Sequence, residues 1–385
     1  MEQVRRDIAC YASPLVERMR AADNCIELAN VRLYLAEAFG FCDGVRRAIE
    51  IAYAACRMFP ERRLWLIGEI IHNPEVNGRL DAMGLRHLPW NAQDRAYDAL
   101  TAEDVVVMPA FGVPIELRRR LDASGATLVD STCGNVIKVW QRVKTYAKAG
   151  ITSVIHGKPK HEETQATASQ SHGEDERGNF VIVNKEEDAR YLADYIIGKG
   201  DRAAFLSRFA GCLSPGFDPE THLQRIGIAN QTTMLKGETA HIQSILRAAV
   251  EQRDGGRAEE NFFAFDTICS ATQDRQNALF ALLEKPLDAM FIIGGYNSSN
   301  TTHLAQIASR RIRTYFVNSA ECLVDTTCIR CWDFEHRCEM ERPLPRGAAD
   351  LTRMASIGIT AGASCPDNVI EQVLRRLAHL RCCPL

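Results

Sequence analysis

The chain has 385 residues, of which 25% are charged and 46% hydrophobic, a balance typical of soluble globular proteins. This length predicts two or three domains or subdomains rather than one simple core. The net charge of −3 argues against nucleic acid as the main partner, because neutralising phosphates requires a clustered basic surface.

Membrane and secretory signals are missing from the sequence. No apolar run reaches the ~18–20 residues that a membrane span needs, and the N-terminal stretch mixes Glu, Asp and Arg through its apolar residues, unlike a signal peptide. We therefore expect a cytoplasmic protein without a membrane partner. Disulfides are rare in that compartment, so the 14 cysteines are expected to be small buried side chains, metal ligands or catalytic thiols.

The predicted elements begin with a helical extension over residues 1–30. Short apolar runs then alternate with longer amphipathic stretches as far as the C-terminus. This alternation indicates βαβ units and mostly parallel sheets, whose ligands collect beyond the carboxyl ends of the strands. The predicted strands, in chain order, are VRLYLA, RLWLIG, DVVVMPAFGV, ATLVD, TSVIHG, FVIVN, AAFLS, RIGIANQTTM, MFIIGG, RTYFV and ASIGITAG.

Three cysteines share one local context, in which an apolar strand precedes the cysteine and a helix follows it: Cys42, Cys133 and Cys269. A sulfur at the start of a helix lies near free backbone N–H groups and the positive end of the helix dipole, which favours its ligand form. Three such thiolates brought to one point would hold a metal cluster and leave one metal without a protein ligand. Taken singly, each cysteine is better explained as a buried filler beneath a helix.

Polar segments follow five of the predicted strands. Any one of them is explained by helix capping, since Ser, Thr and Asn are preferred at helix starts. Five together favour a further role, because hydroxyls, amides, imidazoles and helix N-termini make a good cradle for phosphate oxygens. The segments are residues 69–73, 156–164, 230–233, 297–303 and 360–367.

Other ligand signatures are absent or incomplete. The sequence contains no G-x-G-x-x-G after a strand, no G-x-x-x-x-G-K-[ST] and no H-E-x-x-H. A C-x₂-C pair near the C-terminus has ligand spacing for zinc, but a second pair at standard distance is missing. Incidental cysteines are therefore favoured over a structural zinc site in this segment, which contains Cys322, Cys328, Cys331, His336 and Cys338.

Several longer motifs occur together from about Val31 to the final helix. In this order they resemble the 4-hydroxy-3-methylbut-2-enyl diphosphate reductase family of the LytB type, in its plant and cyanobacterial branch. The motifs are GFC-x-GV-x-RAI, HN, D-x-TC, HGK-x-x-HEET, NQTTM, IC-x-ATQ-x-RQ, NSSN and TAGAS-x-PD.

The resemblance implies a trefoil fold, in which three pseudo-threefold-related α/β lobes with mostly parallel sheets surround a central iron–sulfur cluster. On this chain the lobes would be residues 31–133, 134–268 and 269–385, with the strand in 31–42 joining the third lobe. The resemblance also implies one [4Fe–4S] cluster whose apical iron is open to substrate. Its three ligands would be Cys42, Cys133 and Cys269, which the local pattern also selects.

The implied reaction is the last step of the methylerythritol phosphate pathway. A small allylic diphosphate loses its hydroxyl on reduction and becomes isopentenyl and dimethylallyl diphosphate, with ferredoxin or flavodoxin as the electron donor. By the same resemblance, Glu163 is the proton source and Thr232 positions the hydroxyl network. The residues implied to bind the substrate are His72, His161, Thr232, Ser298, Ser299, Asn300 and Ser364.

Two departures from the family and two rival functions complete the predictions. Gly134 follows Cys133 where proline is common in the family, so we expect a looser turn there. Phe111 stands where the enterobacterial branch has a substrate-binding histidine, so we expect one hydrogen bond to the diphosphate to be lost or replaced. The first rival is an iron–sulfur hydro-lyase, which would act without a reductant. The second is a non-enzymatic zinc-binding protein organised around Cys328 and Cys331.

Overall fold

A computed structural model describes residues 2–28, 30–175, 177–265, 267–344 and 351–383. The chain divides into two compact bodies. The first body consists of Met1–Arg57, Ile71–Met83 and Ser270–Leu385, and the second consists of Met58–Ile70 and Gly84–Cys269.

Helices and strands alternate along most of the chain. Among the described residues, no helix has both the length and the apolar character needed to cross a membrane. The helices are α1 (Glu2–Ile8), α2 (Pro14–Ala21), α3 (Asp43–Met58), α4 (Pro74–Ala82), α5 (Ile115–Ser124), α6 (Gly134–Lys148), α7 (Glu162–His172), α8 (Glu186–Ile196), α9 (Arg202–Arg208), α10 (Pro219–His222), α11 (Lys236–Arg253), α12 (Ser270–Leu283), α13 (Ser299–Ser309) and α14 (Asp367–Leu380). The strands are β1 (Cys25–Leu28), β2 (Val31–Leu35), β3 (Arg63–Ile67), β4 (Arg86–Leu88), β5 (Asp104–Met108), β6 (Thr127–Asp130), β7 (Thr152–His156), β8 (Phe180–Val183), β9 (Ile226–Asn230), β10 (Phe262–Ala264), β11 (Ala289–Ile293), β12 (Thr314–Val317), β13 (Cys328–Asp333), β14 (Cys338–Pro343) and β15 (Ser356–Ala361).

Three larger sheets carry most of the strands. The first body has one sheet in the order β1-β2-β15-β11-β12, and the second body has two, β4-β3-β5-β6 and β10-β9-β7-β8. Every pairing in them is parallel except β1 with β2. A separate antiparallel hairpin joins β13 and β14. The predicted α/β class with mostly parallel sheets is confirmed.

The three sheets repeat one strand order. In the sheets β4-β3-β5-β6 and β8-β7-β9-β10, the strand that comes second in the chain lies at one edge, and the first, third and fourth strands follow it across the sheet. The strands β12-β11-β15-β2 have the same arrangement, with β2 in the place of the fourth strand. Each fourth strand leads to one of the three selected cysteines, and a helix begins at the next residue: Cys42 before α3, Cys133 before α6 and Cys269 before α12. The predicted strand–cysteine–helix pattern is thus a repeated topological unit.

The N-terminal segment contains both helices and a strand. Ser13 caps α2 by accepting a hydrogen bond from the Val16 amide at 2.9 Å, and the buried residues of α2 join the core of the first body. Strand β1 then pairs with β2, an addition to the helical prediction for residues 1–30. The division into lobes stays a prediction. The predicted ranges include some residues outside the described part of the chain, namely 1, 29, 176, 266, 345–350 and 384–385.

The sheet of β7 to β10 is covered by helices on both faces. Ile226 and Ile228 of β9 pack into a cluster with side chains of α8 and α11. Ala229, the next residue along β9, packs instead against Val139 and Val143 of α6. Because successive side chains of a strand point to opposite faces, α6 lies on the face opposite α8 and α11.

Gly112 follows Phe111 at a point of very close packing. Its φ is +73°, and an added Cβ would overlap the Trp140 indole. Gly150 has a similar φ of +65° but open space around the added Cβ, so it offers a matched control for the backbone strain.

We expect Gly112→Ala to lower the free energy of unfolding by about 3 kcal/mol, because the strain of a left-handed backbone conformation adds to the overlap between the new methyl group and Trp140. Gly150→Ala should cost about 1 kcal/mol through strain alone. Urea unfolding of both variants checks this expectation, and equal losses would contradict the packing argument.

Candidate active site

The five polar segments lie at the carboxyl ends of strands. Residues 69–73 follow β3, 156–164 continue from the end of β7, and 230–233 continue from the end of β9. Residues 297–303 follow β11, and 360–367 continue from the end of β15. In parallel α/β sheets this is the edge at which ligands bind.

In the first body, three of the predicted substrate residues meet. The Ser364 hydroxyl oxygen lies 3.2 Å from the Ser298 Oγ and 3.2 Å from the His72 carbonyl oxygen. Ser298 also caps α13 by accepting a hydrogen bond from the Thr301 amide at 3.4 Å. Asn297 Nδ2 lies 3.3 Å from Nδ1 of His72. The three segments that carry these residues therefore form one buried polar cluster.

In this cluster, the first turn of α13 contains buried polar atoms that are left unsatisfied. Asn300 Oδ1 accepts a hydrogen bond from the Ala363 amide at 2.9 Å, which fixes the orientation of the side-chain amide. Across the described residues, neither Asn300 Nδ2 nor Ser299 Oγ has a hydrogen-bond partner. An unpaired buried polar group costs about 1–3 kcal/mol, so such groups are uncommon without a reason. Two of them in the first turn of α13 fit an anionic ligand that carries acceptor oxygens.

Backbone approach in this cluster requires glycine. A Cβ on Gly295 would lie 2.5 Å from the His72 carbonyl oxygen, and one on Gly362 would overlap the Thr301 side chain. Glycine is therefore the residue that permits these segments to pack so closely.

Tyr296 anchors the loop that precedes α13, and sequence reasoning missed it. Its hydroxyl donates to Glu339 of the β13–β14 hairpin at 2.8 Å, and its ring packs against Trp332 with centroids 4.9 Å apart. The only signal in the sequence was its position directly before Asn297. Glu339 and Trp332 are both far from Tyr296 in the chain, so no local pattern indicates these contacts.

In the second body, Thr232 joins the predicted acid to a cysteine. The Thr232 amide and hydroxyl donate to the two carboxylate oxygens of Glu163 at 2.5 and 3.0 Å. The Thr232 carbonyl accepts a hydrogen bond from the Cys269 amide at 3.3 Å. Glu163 is only 3% exposed, so bulk water has little access to its carboxyl group.

His161 caps the start of α7. Its Nδ1 accepts a hydrogen bond from the Glu163 amide at 3.2 Å, which places the ring proton of the neutral form on Nε2. Phe111 packs edge-on against this imidazole, with ring centroids 6.2 Å apart. Phe111 offers no hydrogen bond to a ligand, but it supports the orientation of His161.

The sulfur atoms of two selected cysteines accept N–H groups. Cys42 Sγ accepts from the Val45 amide at 3.4 Å, and Cys269 Sγ accepts from Asn135 Nδ2 at 3.0 Å. Cys133 directly precedes α6, where backbone amides are free. All three are partly exposed, and N–H groups directed at sulfur stabilise thiolates and tune iron–sulfur clusters. The local setting of each of these cysteines suits a thiolate ligand. Asn135 was missed by the sequence reasoning, although it lies only two residues after Cys133.

The C-terminal cysteines do not support the zinc alternative. In the hairpin, Cys328 pairs with Pro343 and Cys338 pairs with Asp333, at opposite ends of a six-residue ladder. Five residues along a strand span about 17 Å, too far for two ligands of one zinc ion. Cys322 Sγ instead donates to Asn318 Oδ1 at 3.2 Å.

Comparison with known proteins identifies the family. The profile described as LytB protein matches residues 33–378. The chain belongs to the LytB family. This finding confirms the resemblance that the sequence motifs carry.

Curated relatives of LytB type cover nearly the whole chain. A 4-hydroxy-3-methylbut-2-enyl diphosphate reductase from Thermosynechococcus vestitus is 45% identical over 96% of this chain and 90% of that protein. The reductase of the same name from Gloeobacter violaceus is 43% identical over 98% of this chain and 90% of that protein. Both organisms belong to the predicted cyanobacterial branch, and neither rival function is favoured by these names.

Two solved structures share the LytB fold. An (E)-4-hydroxy-3-methyl-but-2-enyl diphosphate reductase, described as the terminal enzyme of the non-mevalonate pathway, aligns with a TM-score of 0.54 and 26% identity over 90% of this chain and 99% of that chain. The E-1-hydroxy-2-methyl-but-2-enyl-4-diphosphate reductase from Plasmodium falciparum aligns with a TM-score of 0.65 over 90% of this chain and 87% of that chain. The second is 21% identical and supports the fold alone.

Two neighbouring serines of the LytB chain should respond differently to truncation. Ser298→Ala removes a helix cap and should cost about 1 kcal/mol of unfolding free energy. Ser299→Ala removes an unpaired hydroxyl and should change stability by less than about 0.5 kcal/mol. Both should weaken binding of inorganic pyrophosphate, whereas Ser309→Ala at the far end of α13 should change neither property.

Urea unfolding and titration calorimetry measure the two effects separately. If Ser299→Ala destabilised the protein as much as Ser298→Ala and kept its pyrophosphate affinity, the oxyanion assignment would be wrong.

Proposed function

We propose that this chain reduces 4-hydroxy-3-methylbut-2-enyl diphosphate to isopentenyl and dimethylallyl diphosphate, the last step of the methylerythritol phosphate pathway. Curated relatives with the name of this reductase are 42–45% identical to it. The structural observation that carries the proposal is the linked arrangement of Glu163, Thr232 and Cys269 in the second body. It puts a buried acid and a hydroxyl beside a candidate cluster ligand.

The diphosphate is assigned to uncharged donors. The unpaired Ser299 Oγ and Asn300 Nδ2 are available for phosphate oxygens and would recover the cost of their burial on binding. Such a site differs from the Arg and Lys clamps that usually bind phosphate, and so depends on precise placement of neutral groups. The remaining residues assigned to the substrate are His72, His161, Thr232, Ser298 and Ser364.

A [4Fe–4S] cluster, which the LytB family uses, is assigned to Cys42, Cys133 and Cys269. Four thiolates usually complete such a cluster, so three leave one iron open. When bound, the cluster supplies electrons one at a time and a Lewis-acidic iron for the substrate hydroxyl. The Val45 amide and Asn135 Nδ2 orient two of the ligand sulfurs. Ferredoxin or flavodoxin is the proposed electron source, and the cytoplasmic location remains a prediction.

Glu163 is assigned as the proton source. The balance of the reaction is two electrons and two protons taken up, one C–O bond broken, one C–H bond formed and one water released. Glu163 supplies a proton to the departing hydroxyl, and the Thr232 hydroxyl, 3.0 Å from the carboxylate, lies in position to pass it on. Burial of both side chains keeps competing water away from this transfer.

Cys133→Ser and Glu163→Gln separate cluster binding from proton transfer. Cys133→Ser should lose the iron and the acid-labile sulfide of anaerobically purified protein, because a ligand is removed. Glu163→Gln should keep the cluster while kcat falls by about 10²–10⁴-fold, the usual contribution of a general acid. Cys338→Ser, at an exposed thiol of the hairpin, is the matched control and should keep both.

Metal analysis, visible absorption and turnover with a chemical reductant check these outcomes. A Cys133→Ser protein with full cluster and activity would refute the ligand assignment, and product formed without any reductant would favour the hydro-lyase instead.

A further inference from the structure

The proposed reduction requires electrons from outside the chain. The sequence lacks the glycine-rich motifs that bind nicotinamide or flavin dinucleotides, so it carries no recognisable internal hydride donor. We infer that the outer face of α6, together with Phe265, is the docking surface for a small acidic one-electron carrier protein. This inference rests on the proposed function. We call the surface the α6 patch and define it as Ile137, Lys138, Gln141, Arg142 and Phe265.

The α6 patch carries unbalanced positive charge. Helix α6 contains four basic residues and no acidic one, although the whole chain has a net charge of −3. Within the described ranges, neither Lys138 nor Arg142 forms an ion pair with a carboxylate. Farther along the helix, Lys144 and Lys148 line a cleft that also contains Glu174, Asp175 and Arg177, and Arg177 pairs with Asp175. Helix α6 therefore presents positive charge that can attract an acidic partner.

The centre of the patch is apolar and exposed. Ile137 keeps 38% and Phe265 42% of its surface exposed, whereas most large hydrophobic side chains of the chain are buried. The Arg142 guanidinium stacks on the Phe265 ring, 3.3 Å from its centroid. Exposed apolar and aromatic side chains bordered by polar or charged ones are the usual composition of a protein–protein interface.

The patch adjoins two of the proposed cluster ligands. The Ile137 amide donates to the Cys133 carbonyl at 3.0 Å, so these residues are one helical turn apart. Phe265 and Cys269 each lie beside α6, since Phe265 contacts Arg142 and the Cys269 sulfur accepts a hydrogen bond from Asn135 Nδ2. From Asn135 to Arg142 the helix rises about 10 Å. Because electron tunnelling falls steeply with distance, this nearness favours an electron carrier over a membrane or a nucleic acid as the occupant.

A charge reversal in the patch tests the inference in the reconstituted holoenzyme. Lys138→Glu/Gln141→Glu should raise the Kd for an acidic plant-type ferredoxin at least about tenfold at low ionic strength, and should flatten the salt dependence of binding. Turnover with reduced methyl viologen should stay at the level of the unmodified enzyme, since a small reductant needs no docking surface. Lys138→Arg keeps the charge and should bind normally. Lys199→Glu reverses an exposed charge after α8, on the opposite face of the sheet, and should also bind normally.

Calorimetric binding and the two reductants give independent readouts. An unchanged Kd in the double variant, or an equal loss with Lys199→Glu, would overturn the docking surface. So would a variant that keeps its ferredoxin affinity but loses binding to phosphatidylglycerol vesicles. Failure of the unmodified holoenzyme to convert the diphosphate with methyl viologen would refute the proposed function instead, while the ferredoxin affinities would still decide the surface.

Discussion

Hydrogen bonds from N–H groups to cysteine sulfur, at the starts of helices, are the interaction on which the account depends. In each of the three larger sheets the fourth strand is followed, after a short connection, by a cysteine, and a helix begins at the next residue. This geometry gives a thiolate free amides and a helix dipole, and at Cys269 it adds the side chain of Asn135. A repeated backbone topology therefore gives all three sulfur atoms the local setting that favours a thiolate.

The polar cluster of the first body contains buried polar groups without partners, which lower the stability of the protein and leave donors for a ligand. Ser299 and Asn300 are buried with unpaired polar atoms, whereas Ser298 and Ser364 are satisfied by their neighbours. A diphosphate would complete the unpaired donors without a charged clamp. Neutral donors suit a reaction that must release a diphosphate product, because they bind phosphate less strongly than Arg or Lys.

Much of the site could be predicted from the sequence, because its chemistry lies in contiguous motifs at strand ends. Most of the strands and helices, the positions of the five polar segments and the family followed from local patterns. The strand predicted for AAFLS is wrong, because these residues lie in helix α9 (Arg202–Arg208). Strand β1, the Tyr296–Glu339 bond and the Asn135–Cys269 contact did not, since each depends on residues brought together by tertiary folding. The hairpin cysteines are a related case: their C-x₂-C spacing is that of a zinc site, but Cys328 and Cys331 lie three residues apart on β13, so their side chains point to opposite faces of the strand.

The central claim is that the chain provides three thiolates and leaves one iron open to the diphosphate substrate. Mössbauer spectroscopy of ⁵⁷Fe-labelled, anaerobically handled protein, with and without the substrate, tests it most directly. The account predicts four irons of which a single one changes its signal when substrate binds. Four irons that stay unchanged, or a protein that contains zinc and no iron, would contradict it.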